Sequence, residues 1–140
     1  MQVKNTTLDG VKLITPHTMH EDFRGSYVEL YNRDLYRQHG IDVEFVEDDI
    51  STSTHHVLRG VHGDGKTWKL VSCLVGRFYL LVVNNDPAHP QYRKWQGFTL
   101  SDVNRLQVLI RLIHLEKNKE PKDFHEFPPP VQHVLQRFGD

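Results

Sequence analysis

An all-β sandwich or barrel is the fold class that this sequence predicts. Three observations carry it. Short apolar runs recur at regular spacing, turn residues separate them, and almost nowhere do apolar residues recur at helical spacing. The chain has 140 residues, enough for one domain with a core. Its formal net charge is -1, which gives no electrostatic case for nucleic acid or a membrane surface as partner. No apolar run approaches the roughly 18 residues of a membrane span, and the first residues, Met1-Gln2-Val3-Lys4-Asn5, lack the apolar centre of a signal peptide. Cys73 is the single cysteine and lies in an apolar run, so it reads as a small buried hydrophobe. A soluble cytoplasmic protein is expected.

Residues 1–16 read as an arm and a strand, Val11-Lys12-Leu13-Ile14, stopped by Thr15-Pro16. Arg24-Gly25 reads as a turn before a strand over 27–31, which would put Tyr27, Glu29 and Tyr31 on one face as a polar cavity wall. One or two helical turns fit within 32–40, with Gly40 ending them. Strands follow at 43–46, 57–62, 69–75 and 77–83, with Gly76 as a tight hairpin turn between the last two. A turn at Asn84-Asn85-Asp86-Pro87, a strand over 92–100 and a turn at Ser101-Asp102-Val103-Asn104 come next. Leu106, Val108 and Ile110 then alternate with Arg105, Gln107 and Leu109. The division expected is a β domain over 1–110 and an atypical tail over 111–140. The tail has no period-two pattern, carries Pro128-Pro129-Pro130, and can form a short amphipathic helix over 131–138. A sandwich of these strands needs the tail or a second chain to cover an open edge.

The chemistry concentrates in residues 57–71. Arg59 and His62 stand three apart, a glycine-broken turn follows, and Trp68-Lys69 opens the next strand. Two cations, an imidazole and an aromatic ring can converge there on an anionic, phosphate-bearing ligand from which a proton is moved. In a regular strand Arg59 and His62 would face opposite ways; Gly60 between them permits a bulge that brings both into one cavity. Arg59 and Lys69 can instead be cross-strand partners of Glu47 and Asp49, and Arg24 and Glu29 can pair with each other. Trp95 is read as core, and Trp68 equally as core or as ligand platform. A metal site on a strand needs two histidines two apart, with a carboxylate and a later histidine; Asp64 holds the second position here, so no metal is expected.

These residues resemble the dTDP-4-dehydrorhamnose 3,5-epimerase family of nucleotide-sugar epimerases. The matching pieces run in family order. They are Asp22-x-Arg24-Gly25-x-Tyr27-x-Glu29, Phe45-Val46-Glu47-Asp48-Asp49-x-Ser51, Val57-Leu58-Arg59-Gly60-Val61-His62, Lys69-Leu70-Val71, Gly76, Lys94-Trp95 and Leu100-Ser101-x-x-Asn104. The resemblance implies a cupin-type jelly roll, C-terminally incomplete, and a homodimer that needs no cofactor. It makes His62 the general base, Arg59 and Lys69 holders of phosphate or keto-sugar, and Arg24 and Glu29 residues that close over the nucleotide-diphospho sugar. Glu47 and Asp49 stand where the family usually has glutamine and asparagine, and Asn84 where many members have aspartate. The short connection over 63–68 is similar to the branch that includes GDP-heptose epimerases. Residues 111–140 match neither the family's tyrosine acid nor its histidine-orienting aspartate. Plausible codons for 111–116, read two bases on, can give a family-like Pro-Asn-Ser-Phe-Gly; sequencing of the DNA across that junction tests a shifted reading frame. The implied activity is epimerisation of a keto-activated nucleotide sugar for surface polysaccharide. The alternative is a catalytically inactive or truncated nucleotide-sugar-binding cupin.

Overall fold

The computed structural model describes residues 1–16, 19–54, 57–60 and 67–111. Eight strands and one helix occur among them: β1 (Gln2–Asn5), β2 (Val11–Thr15), β3 (Met19–Asp22), β4 (Gly25–Val28), α1 (Arg33–Gln38), β5 (Trp68–Ser72), β6 (Arg77–Val83), β7 (Trp95–Ser101) and β8 (Gln107–Arg111). All pairings are antiparallel. One sheet has the order β1-β2-β8-β5; β3-β4 and β6-β7 form separate two-stranded ribbons.

β8 is the middle of the molecule because both of its faces are apolar. Side chains alternate across a strand, so Val108 and Ile110 share one face with their neighbours Val11, Leu13 and Val71. That face packs against Val82, Phe98 and Leu100 of the β6-β7 ribbon, with Cys73, just past β5, in the same cluster. Leu109 points the other way, with Ile14, Leu70 and Trp68, against Tyr36, Ile41, Val43 and Phe45. The sheet is therefore a middle layer, with the ribbon on one side and the helix with residues 41–45 on the other. Gln107, which polar–apolar alternation would place on a wet face, is 1% exposed because this second layer covers it.

The helix forms where expected. Asn32 caps it by accepting a hydrogen bond from the Leu35 amide at 3.1 Å, and Gly40 ends it in a left-handed conformation, φ 75°. Tyr36 is its buried residue.

Several expected boundaries move. The arm before residue 6 is a strand, β1, that pairs with β2. Residues 43–46 and 57–60 are not strand; in 43–46, Val43 and Phe45 pack on the second cluster without joining a ladder. The strand expected over 27–31 lies at Gly25–Val28, so Tyr27, Glu29 and Tyr31 do not form one wall. Tyr27 is exposed beside His20, whereas Tyr31 packs edge-on against Tyr36 and Phe45. β5 ends at Ser72, and Gly76 is not a hairpin turn, because β5 pairs with β8 and β6 with β7. Gly76 instead turns the chain from one sheet to the other, held by its amide on Asp102 Oδ2 at 2.8 Å and by the Asp102 amide on its carbonyl at 3.0 Å. Trp95 begins β7 on the face away from Phe98 and Leu100, and is half-buried rather than core. Cys73 is buried, as expected, and burial pushes its thiol pKa up.

The Leu100-Ser101-x-x-Asn104 motif has a structural explanation. Asn104 Oδ1 accepts from the amides of Ser101 and Leu106, both at 3.1 Å, and its Nδ2 donates to the Thr99 carbonyl at 2.9 Å. Ser101 Oγ accepts the Asn104 amide at 3.0 Å. One asparagine thus closes the turn that delivers β8 into the core. Asn104→Ala is expected to lower unfolding free energy by about 1–3 kcal/mol, measured by urea denaturation; a loss below about 0.5 kcal/mol would contradict this role.

Candidate active site

Lys69 is one of the expected site residues that the structure describes. It lies opposite Ile110 on β8, hence on the face of the sheet that looks toward the β6-β7 ribbon, and it is exposed at the edge strand. A cation there can reach an anion held between the two sheets. Its neighbour Trp68 points to the opposite face, packs on the second cluster, and lies under the Arg111 guanidinium at 5.5 Å. That contact places Trp68 with the packing and not with the Lys69 face.

Arg59 lies at the end of an irregular segment. Its Nε donates to Ser53 Oγ at 2.9 Å and its Nη2 to the Thr52 carbonyl at 2.8 Å. The guanidinium therefore ties Arg59 to Thr52 and Ser53, and not to Glu47 or Asp49. Gly60 has φ 105°, a left-handed backbone that favours glycine. Residues 57–60 belong to no ladder among the described residues. His62, with Asp64 and the rest of 61–66, lies outside the described residues.

Arg24 is at the exposed tip of the β3-β4 ribbon. It pairs with Asp22, Nη2 to Oδ2 at 2.6 Å, and not with Glu29. The Arg24 hydrogen bonds hold the Asp22 carboxyl below the usual aspartate range, and Asp22 raises the guanidinium pKa. Glu29 is half-buried just past β4, with Asn32 Nδ2 3.4 Å from its Oε2. Glu47 and Asp49 are exposed on the irregular 41–54 segment. Asn84 serves its own turn: Oδ1 accepts the Asp86 amide at 3.0 Å, and Nδ2 lies 3.1 Å from His89 Nδ1.

One polar cluster escaped the sequence reading. Gln107 Nε2 donates to the Leu30 carbonyl at 2.7 Å, and its Oε1 accepts the Tyr36 hydroxyl. The same hydroxyl lies 2.9 Å from the Leu30 carbonyl. A polar residue amid an apolar run was the available signal, but alternation assigned it to solvent. Burial, opposed by the Gln107 hydrogen bond, pushes the Tyr36 pKa from 10.0 to about 12. Its neutral form is therefore favoured by the fold. The stabilisation is complete below pH 10 and is lost as pH rises through about 12. The stability difference between wild type and Tyr36→Phe should shrink by on the order of 2 kcal/mol over that window; denaturation at stepped alkaline pH measures it, and a pH-independent difference would contradict it.

Stacked layers of antiparallel strands, with one short helix among the described residues, define a jelly-roll protein of the cupin type. The chain belongs to the dTDP-4-dehydrorhamnose 3,5-epimerase family, whose model matches residues 5–112. It is 35% identical over 107 residues to the dTDP-4-dehydrorhamnose 3,5-epimerase of Methanothermobacter thermautotrophicus, covering 75% of this chain and 57% of that one. The fold is similar to the 3,5-epimerase of Legionella pneumophila in complex with dTDP-4-keto-L-rhamnose, with TM-score 0.71, 34% identity, and 78% and 59% of the two chains covered. It is also similar to the Bacillus anthracis enzyme with TDP and PPi bound, with TM-score 0.71, 28% identity, and 78% and 64% covered. The chain thus spans about three fifths of the length of these relatives. No described helix is long and apolar enough to cross a membrane.

Proposed function

We propose that this chain acts on a dTDP-linked 4-keto sugar as a 3,5-epimerase. His62 takes the proton from the carbon beside the keto group, and an enolate forms. A proton returned to the opposite face of that carbon inverts it. Histidine suits this task because its ordinary pKa lies near neutrality. Lys69 and Arg59 supply positive charge to the diphosphate and the enolate oxygen; this charge also favours the neutral imidazole that can accept the proton. Glu47 and Asp49 line the substrate site. Arg24 and Glu29 close over the nucleotide sugar, in a homodimer whose partner subunit completes the site. Residues 1–110 form the domain that carries this chemistry, with 111–140 as a separate tail. The product feeds surface polysaccharide synthesis in the cytoplasm.

The observation that carries the reading is the family match over residues 5–112, within which Lys69 stands on the face of the sheet toward the β6-β7 ribbon and Gly60, beside Arg59, has a left-handed backbone. The dTDP nucleotide is preferred over GDP because the relatives above are named for dTDP sugars. A second reading is nucleotide-sugar binding without turnover. Deuterium incorporation from solvent into a dTDP-4-keto-6-deoxy sugar separates the two. Epimerisation predicts exchange that His62→Ala reduces by about 10²–10⁴-fold. Calorimetric binding without exchange above background leaves the second reading.

A further inference from the structure

The Leu30 carbonyl lies past the end of β4 and belongs to no ladder among the described residues. Leu30 is 38% exposed as a residue, yet its carbonyl takes a protein donor in a part-buried place. The donor comes from far along the chain: Gln107 Nε2, at 2.7 Å, from a side chain 1% exposed. Gln107 Oε1 is engaged by the Tyr36 hydroxyl, which is 2.9 Å from the same carbonyl. Around this point the segment is tied on both sides. Tyr31 packs edge-on against Tyr36 and Phe45. Asn32 caps α1 through Oδ1 and lies 3.4 Å from Glu29 Oε2 through Nδ2. The residue before Leu30 is therefore held on a short stretch whose central anchor is a β8 side chain.

We propose that Gln107 is a positioning residue, which fixes the Leu30 backbone and thereby the place of the Glu29 carboxylate. The proposal rests on the reading above that Glu29 meets the nucleotide sugar. Gln107 is on the face of β8 opposite to that shared by Ile110 and Lys69. It acts through Leu30, not on a ligand between the sheets.

Gln107→Leu keeps the side-chain size and leaves the Tyr36 hydroxyl the Leu30 carbonyl as acceptor; Gln107→Met serves as a second variant. In a calorimetric double-mutant cycle with dTDP and a dTDP-4-keto sugar, Glu29→Gln and Gln107→Leu are each expected to weaken sugar-nucleotide affinity by about tenfold. The double variant should be no weaker than Glu29→Gln alone, because both changes remove one positioned carboxylate. Additive losses, or unchanged affinity in both Gln107 variants, overturn the proposal. A wild-type chain that binds neither ligand would defeat the proposed function instead. Amide exchange then judges the anchor: exchange across residues 29–32 should quicken by about tenfold or more in Gln107→Leu while β2 stays protected. Equal exchange in both chains overturns the anchor.

Discussion

Leu109→Ala is expected to lower unfolding free energy by about 2–5 kcal/mol. The side chain is 1% exposed and stands where the middle sheet meets Tyr36, Ile41 and Ile14. Backbones on both sides of it are committed to ladders with β2 and β5, so the surroundings cannot collapse into the cavity. Domains have about 5–15 kcal/mol in total, and this loss is a large share. Urea unfolding gives the value. Val103→Ala is the control, since Val103 is 86% exposed and its truncation should stay within about 0.5 kcal/mol. Equal effects at the two positions would contradict the layered packing described here.

The second large effect is on binding. Lys69→Met keeps the aliphatic stem and removes the charge from the inter-sheet face. If the proposed function holds, affinity for dTDP should fall by about 10–100-fold, the equivalent of one charge-assisted hydrogen bond of about 1.5–3 kcal/mol. The loss should diminish at higher salt, because Lys69 is exposed at the edge strand and pairs between exposed charges are screened. Titration calorimetry on Lys69→Met and on wild type measures it. Unchanged affinity would remove Lys69 from the site.

The sequence made the all-β class legible because period-two runs and turn residues are local signals. The helical turns ended by Gly40 were legible for the same reason. Strand ends were read less well. Val43 and Phe45 have strand composition, yet they are recruited as a packing layer over Leu109 and Ile14, a choice made by tertiary contact. Gly76 looked like a hairpin turn because nothing local tells a turn within a sheet from a turn between sheets; that depends on β8, far along the chain, claiming β5. Gln107 was hidden by the same long-range covering, which dries a face that alternation leaves wet. At the site, Lys69 needed only the register to gain an inter-sheet position. Arg24 found its partner two residues away in Asp22, a pairing within one ribbon tip that the search for a partner at Glu29 passed over.

The central claim is proton abstraction by His62 from a keto-activated dTDP sugar. The direct measurement is solvent deuterium appearing at the carbons beside the keto group, followed by NMR or mass spectrometry in D₂O. Wild type should incorporate deuterium and His62→Ala should lose it by about 10²–10⁴-fold while still binding dTDP. Incorporation at an equal rate in both chains would contradict the account.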